Sequence, residues 1–196
     1  MKKRTRYITI LTSALQSGQM VRIVAKPTPD TTLDGYVVSL SETFVLLHLL
    51  DGGFHMALNG YTALPLSEIK KIRLLDDDNS FADRALKVKG IFPKPQLDLL
   101  LLDFPGLLSS ADAHFPLVTI HLERLDRDCC FIGRVEKLTK RSLQLQKIDA
   151  SAQWGEIEKF RFEDITRIDF GGGYEEALWL VNQNERAAAA AQGMDE

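Results

Sequence analysis

The stretch "LDGYVVSLSETFVLLHLLD", Leu33–Asp51, decides the fold, because a second stretch of equal length answers it. That second stretch, "FIGRVEKLTKRSLQLQKID", is Phe131–Asp149 and lies 98 positions further on. The two agree at Gly35/Gly133, Val37/Val135, Leu40/Leu138, Leu47/Leu145 and Asp51/Asp149. Their flanks follow in the same order. Upstream, "VRIVAK" (Val21–Lys26) corresponds to "VTIHLER" (Val118–Arg124). Downstream, "SEIKKIR" (Ser67–Arg73) and "EDITRID" (Glu163–Asp169) share isoleucines at Ile69/Ile72 and Ile165/Ile168. Then "FADRAL" (Phe81–Leu86) and "YEEAL" (Tyr174–Leu178) each give an aromatic, acidic residues and Ala-Leu. Blocks kept in one order argue for a tandem duplication.

Each copy reads as short strands. Phe131, Gly133 and Val135 alternate with Ile132, Arg134 and Glu136, and Leu143 and Leu145 alternate with Ser142, Gln144 and Gln146. That is the period of a strand with one buried face. A glycine within such a strand predicts a bend or bulge. In the first copy "DGG" (Asp51–Gly53) predicts a hairpin into "FHMALNGYTAL", whose counterpart is "QWGEIEKFRF". Five short strands per copy, closing on themselves, predict a mainly β protein of two tandem small barrels.

Helical segments frame the copies. "ITILTSALQS" precedes the first, and "NSFADRALKVK" follows it with Asp76–Asp78 as an acidic lead-in. "PQLDLLLLDF" and "PGLLSSADAH" predict short helices between the barrels, and Tyr174 to about Gln192 predicts a C-terminal helix with fraying alanines. The expected division is 1–90, first barrel with flanking helices; 91–115, helical linker; and 116–196, second barrel with C-terminal helix.

One difference between the copies bears on assembly. Phe44, Leu46, His48 and Leu50 occupy the face that carries Ser142, Gln144, Gln146 and Ile148 in the second copy. With Val45, Leu47 and Leu49 on its other face, this strand is apolar on both sides and requires cover on both. The linker helices, the other barrel or another chain could supply it. Phe44, Leu46, His48 and Leu50 are therefore the candidate assembly strand.

The order "ILTSALQSGQMVRIVAK … LDGYVVSLSETFVLL … LNGYTALPLSEIKKI" across Ile8–Leu75 resembles the Sm-like fold, a helix followed by a five-stranded bent barrel of SH3-like type. Asn59–Gly60 sits where that family carries a basic-Gly or Asn-Gly pair before the last strand. The resemblance implies ring assembly through outer strands, with single-stranded RNA held by loops that map to Ser41–Phe44 and Asn59–Tyr61.

Composition sets the frame for function. The 196 residues are 45% hydrophobic and 26% charged with a formal net charge of −3, which supplies no global attraction for nucleic acid. The apolar run after the basic N-terminus stops at Leu11, too early for a signal peptide, and "LDLLLLDF" is too short to cross a bilayer. A cytoplasmic protein is expected.

No motif specifies chemistry. Cys129 and Cys130 are adjacent and read as two small strand residues, and the four histidines lack ligand spacing, so neither metal nor cofactor is expected. "DFGGGYEEALWL" (Asp169–Leu180) runs strand, glycines, helix, but Glu175 and Glu176 would repel a phosphate. The second copy's turn region is basic at Lys137, Lys140 and Arg141, which with Asn59 and Tyr61 are the candidate RNA or partner contacts. The expected role is a non-enzymatic binding or assembly module acting through protein contacts or self-association. RNA binding is the alternative, and an enzyme of unspecified class the third.

Overall fold

The computed structural model describes residues 2–27, 32–51, 55–75, 80–94, 98–126 and 129–192. Among these residues the order is α1 (Lys2–Ser17), β1 (Met20–Ala25), β2 (Thr32–Leu40), β3 (Phe44–Asp51), β4 (Ala57–Pro65), a 3-10 turn (Leu66–Glu68), β5 (Ile69–Leu74) and α2 (Phe81–Val88). There follow α3 (Phe104–Asp112), β6 (Val118–His121), β7 (Cys130–Leu138), β8 (Ser142–Ile148), β9 (Trp154–Arg161), β10 (Arg167–Phe170) and α4 (Gly173–Gln192).

The ten strands form one antiparallel sheet in the order β5-β1-β2-β3-β4-β10-β6-β7-β8-β9. The expected pair of separately closed barrels is therefore corrected. β4 hydrogen-bonds to β10, so the two halves share one sheet, with β5 and β9 at its edges. The fold is mainly β, with helices against both faces.

Each half repeats the other's irregularities. The β2–β3 register shifts between Val37 and Ser39, and the β7–β8 register between Val135 and Lys137. The β3–β4 register shifts between His48 and Leu50, and the β8–β9 register between Gln146 and Ile148. All four positions correspond at the same spacing of 98. The glycines explain why the backbones come this close. A Cβ on Gly35 would lie 2.5 Å from the His48 carbonyl oxygen, and one on Gly133 would lie 2.1 Å from that of Gln146. Neither position has room for a side chain.

The two cores lie on opposite faces of the sheet. One gathers Val21, Ile23, Val37, Val45, Leu47, Leu64 and Ile72 beneath Tyr7, Leu11 and Ala14 of α1, whose i, i+4, i+7 spacing makes one helical face. The other gathers Ile120, Leu143, Leu145, Phe160, Ile168 and Phe170 with Leu107, Leu108 and Ala111 of α3. Smaller clusters close the remaining faces. Met20, Tyr36 and Leu86 of α2 pack with Leu50, while Leu117, Ile148 and Leu178 of α4 pack with Trp154. The helices that follow β5 and β10 thus bury the leucines of the two Ala-Leu pairs.

The linker departs from expectation. Asp98–Asp103 is not helical, and α3 begins only where the Asp103 side chain accepts the Gly106 N–H at 2.8 Å, with Pro105 in the first turn. Leu99 and Leu101 are buried while Leu100 and Leu102 are exposed, so the run follows a two-residue period. The Thr43 hydroxyl donates to the carbonyls of Leu101 (3.0 Å) and Leu102 (2.8 Å), tying this segment to the β2–β3 turn. The C-terminal helix continues through its alanines to Gln192. The Asp76–Asp78 lead-in, Gly52–Gly53 of the hairpin and Leu97 lie outside the described residues.

Candidate interaction sites: the junction of the halves and the edges of the sheet

The junction is short in backbone terms. Three pairs join the strands: Ile168 opposite Ala63, Asp169 opposite Thr62, and Phe170 opposite Tyr61. Side chains reinforce it on both faces. On the core side Tyr61 meets Phe170 at 6.0 Å between ring centroids, and Phe115 meets Phe170 at 5.1 Å. On the other side Thr62 donates to Asp169, whose second carboxylate oxygen accepts from His121 Nε2 at 2.8 Å.

That carboxylate anchors a nearly buried polar network. Arg167 Nη2 lies 3.1 Å from His121 Nδ1, which leaves the imidazole proton on Nε2, facing Asp169. Arg167 also lies 3.4 Å from Glu123, which accepts from the Thr166 hydroxyl at 2.9 Å. Burial alone would raise the Asp169 pKa. The hydrogen bond from His121 and the charge of Arg167 outweigh it and hold the carboxyl below its ordinary value. Each of these charges has a partner, so the network reads as structural. Among the described residues no group of three or more His, Cys, Asp or Glu could hold a metal ion.

Two further ties cross the junction. Asn59 Oδ1 accepts the backbone N–H of Gly173, the first residue of α4, at 2.7 Å. Buried Glu68 in the first half pairs with Arg124 in the second. Gly60 is at φ +67°, and a Cβ there would lie 2.7 Å from the Gly172 nitrogen. The Asn-Gly pair is thus strand and junction, not the expected loop.

The predicted site residues separate. Tyr61 is buried and stacks on His48 at 4.6 Å, so it offers no free ring to a base. Asn59 is engaged at the head of α4. Lys137, Lys140 and Arg141 are exposed together around the β7–β8 turn. The sequence placed these five residues in one contact set; among the described residues no hydrogen bond or ion pair joins the two groups.

The candidate assembly strand is also corrected. β3 is hydrogen-bonded on both edges, and Phe44, Leu46 and His48 are buried. Linker and second-half residues cover Phe44 and Leu46, and Phe104 meets Phe44 edge-on at 5.1 Å. Leu50 packs towards α2. The chain supplies this cover itself, which is why the strand is apolar on both faces.

The open sites are the edges, which the sequence reading passed over. β5 presents exposed Lys70, Lys71 and Arg73, and β9 presents exposed Glu156, Ile157 and Glu158 with Lys159 and Arg161. The run "IKKIRL" against "EIE" was the available signal, but it carries no message until the strand order is known.

No helix among the described residues is long and apolar enough to cross a membrane. No family model matches the chain. The comparison with curated proteins returns no match. Among solved structures the chain is similar to the crystal structure of YcgR in complex with c-di-GMP from Escherichia coli, at 10% identity over 96% of this chain and 93% of that one, with a TM-score of 0.18. So slight a geometric likeness carries no argument about fold or ligand.

Proposed function

We propose that this chain is a non-enzymatic assembly module, two copies of one ancestral Sm-like unit, working in the cytoplasm through protein–protein contacts. The observation that carries the reading is the junction itself. One half receives the other by strand addition, backed by the Tyr61–Phe170 contact and the Asn59–Gly173 hydrogen bond. Strand addition gives affinity through main-chain hydrogen bonds and specificity through the side chains beside them. Among the described residues the sheet ends in two edge strands, β5 and β9, each paired on one side, and natural proteins ordinarily cover or blunt such edges. Affinity capture from the source cell, with light scattering on the purified chain, tests the reading. Recovery of a stoichiometric partner or a stable self-complex supports it, and a solitary monomer in both experiments ends it.

RNA binding is the second reading, favoured by the exposure of Lys137, Lys140 and Arg141 on one turn. Oligonucleotide affinity that falls with salt and with Lys140→Ala plus Arg141→Ala would support it. Affinity indifferent to both would remove it.

A further inference from the structure

We propose that the pocket between the α3–β6 connection and the first two turns of α4 binds an organic cation, an alkylated ammonium of side-chain size. The inference goes beyond the assembly reading and stands or falls without it.

The pocket offers about 350 Å³, within the range of small-molecule sites. Its lining comes from the α3–β6 connection, from Gly171 and from α4. On α4, Glu175 with Trp179 and Glu176 with Leu180 are two i, i+4 pairs along one side of the helix. Each pair sets a carboxylate one turn before an apolar side chain. Phe115 lines the same space from the α3–β6 connection.

Other rings hold both aromatic walls in place. Phe115 lies 5.1 Å from Phe170 and 6.1 Å from Tyr61 between ring centroids. Gly171, at φ +67°, lets that ring settle, since a Cβ there would run into it. Trp179 meets Trp154 edge-on at 6.4 Å, and the Trp154 indole N–H donates to Asn182 at 2.9 Å. Rings fixed in this way need no ordering when a ligand arrives.

The charge of the lining selects the ligand. It contains two carboxylates and no lysine or arginine, so an anion is repelled. Glu175 uses one oxygen to accept from the Thr119 hydroxyl at 2.6 Å, while Glu176 is exposed. A hard metal ion requires more oxygen ligands than these. Among the described residues no group of three or more His, Cys, Asp or Glu could hold one. An alkylated ammonium suits the pocket better: the aromatic faces attract its charge, and the carboxylates add to that attraction. Leu180, 58% exposed, offers its alkyl groups an apolar surface in place of water. The two glutamates also suit the N-terminus of α4. That role accounts for the acids alone, and leaves the two rings beside them unexplained.

Isothermal titration calorimetry of the full chain with choline chloride tests the proposal, beside 3,3-dimethylbutanol, the uncharged compound of the same shape. Choline should bind saturably and at least about fivefold more tightly than the alcohol. In nuclear magnetic resonance spectra the Trp179 indole N–H should shift on titration, and that of Trp154, tied to Asn182, should move less. Glu176→Gln should weaken choline binding about fivefold. Leu180→Lys, which brings a like charge into the pocket, should weaken it roughly tenfold or more. Both positions are exposed, and circular dichroism checks that each variant folds. A glycine–serine peptide carrying one trimethyllysine distinguishes the sources. Tighter binding of the peptide than of choline would assign the cation to a protein chain, and the reverse order would assign it to a free small molecule. No binding of either cation, equal affinity for the alcohol, or affinity indifferent to both substitutions would overturn the proposal.

Discussion

Asn59 accepts the first backbone N–H of α4 from a position 114 residues upstream, at 2.7 Å from the Gly173 nitrogen. A helix N-terminus has orphan donors that a neighbouring asparagine satisfies well. Here the donor and its acceptor belong to different halves, so the local stability of α4 depends on the junction being made. Asn59→Ala should cost about 1 kcal/mol. Urea denaturation should register the loss, and hydrogen exchange should show it concentrated in the first turn of α4. A uniform loss of protection throughout the chain would count against this link.

Gly60 beside it should be far less tolerant than Gly18. Both have left-handed backbone, φ +67° and +66°, but a Cβ on Gly60 meets the Gly172 backbone whereas nothing lies within 4 Å of one on Gly18. Gly18→Ala therefore reports backbone strain alone, about 1 kcal/mol, and Gly60→Ala adds a steric clash at the junction. The difference between the two denaturation midpoints measures the closeness of the halves.

Gly35→Ala and Gly133→Ala should fail alike, since each puts a methyl group into the carbonyl of the facing strand. Gly155→Ala, whose Cβ would find its nearest neighbour at 3.7 Å, should be accepted. Soluble expression and thermal melting of the three variants check this. Free tolerance at Gly133 would mean that β7 and β8 approach less closely than β2 and β3.

His48 should make stability depend on pH. Burial, and then the charge of Lys94, lower its pKa from 6.5 to about 4, and its Nδ1 accepts the Lys94 N–H at 3.2 Å. Above pH 6.5 both folded and unfolded chains hold it neutral. As pH falls from 6.5 towards 4 the unfolded chain gains a proton that the folded chain refuses, so stability declines across that window. With allowance for solvent screening the decline is on the order of 1–3 kcal/mol. His48→Gln should remove this part of the slope in denaturant titrations. Asp169 titrates on the other side of the window: its carboxyl is held below the ordinary range, so its contribution is present above that range and is lost only at more acid pH.

Leu107→Ala should be among the costly core truncations. The residue is fully buried in α3, inside the core that second-half strands share with Phe44 and Leu46 of β3. A cavity there should cost about 2–5 kcal/mol. Because linker, β3 and second half meet at this point, a single cooperative unfolding transition is expected for the variant as for the parent chain. Two separate transitions would show that the halves fold independently despite their common sheet.

The sequence by itself determined the strands, the special place of Gly35 and Gly133 within them, and the framing helices α1, α2, α3 and α4. These depend on side-chain periodicity, glycine placement and capping within a few residues of one another, and such signals survive in any context. It misread Asp98–Asp103 because a run of leucines is consistent with a helix or an extended segment, and only the surface it lies on decides. It required cover on both faces of β3 but left open whether the linker, the other half or another chain supplies it, and the tertiary structure gives that place to the linker and the second half. The joining of β4 to β10 was invisible, as was the role of Asn59 and Tyr61 in that joint. Those depend on which edge meets which across more than a hundred residues, and hydrogen-bonding edges look alike in sequence until a shared core brings two of them together.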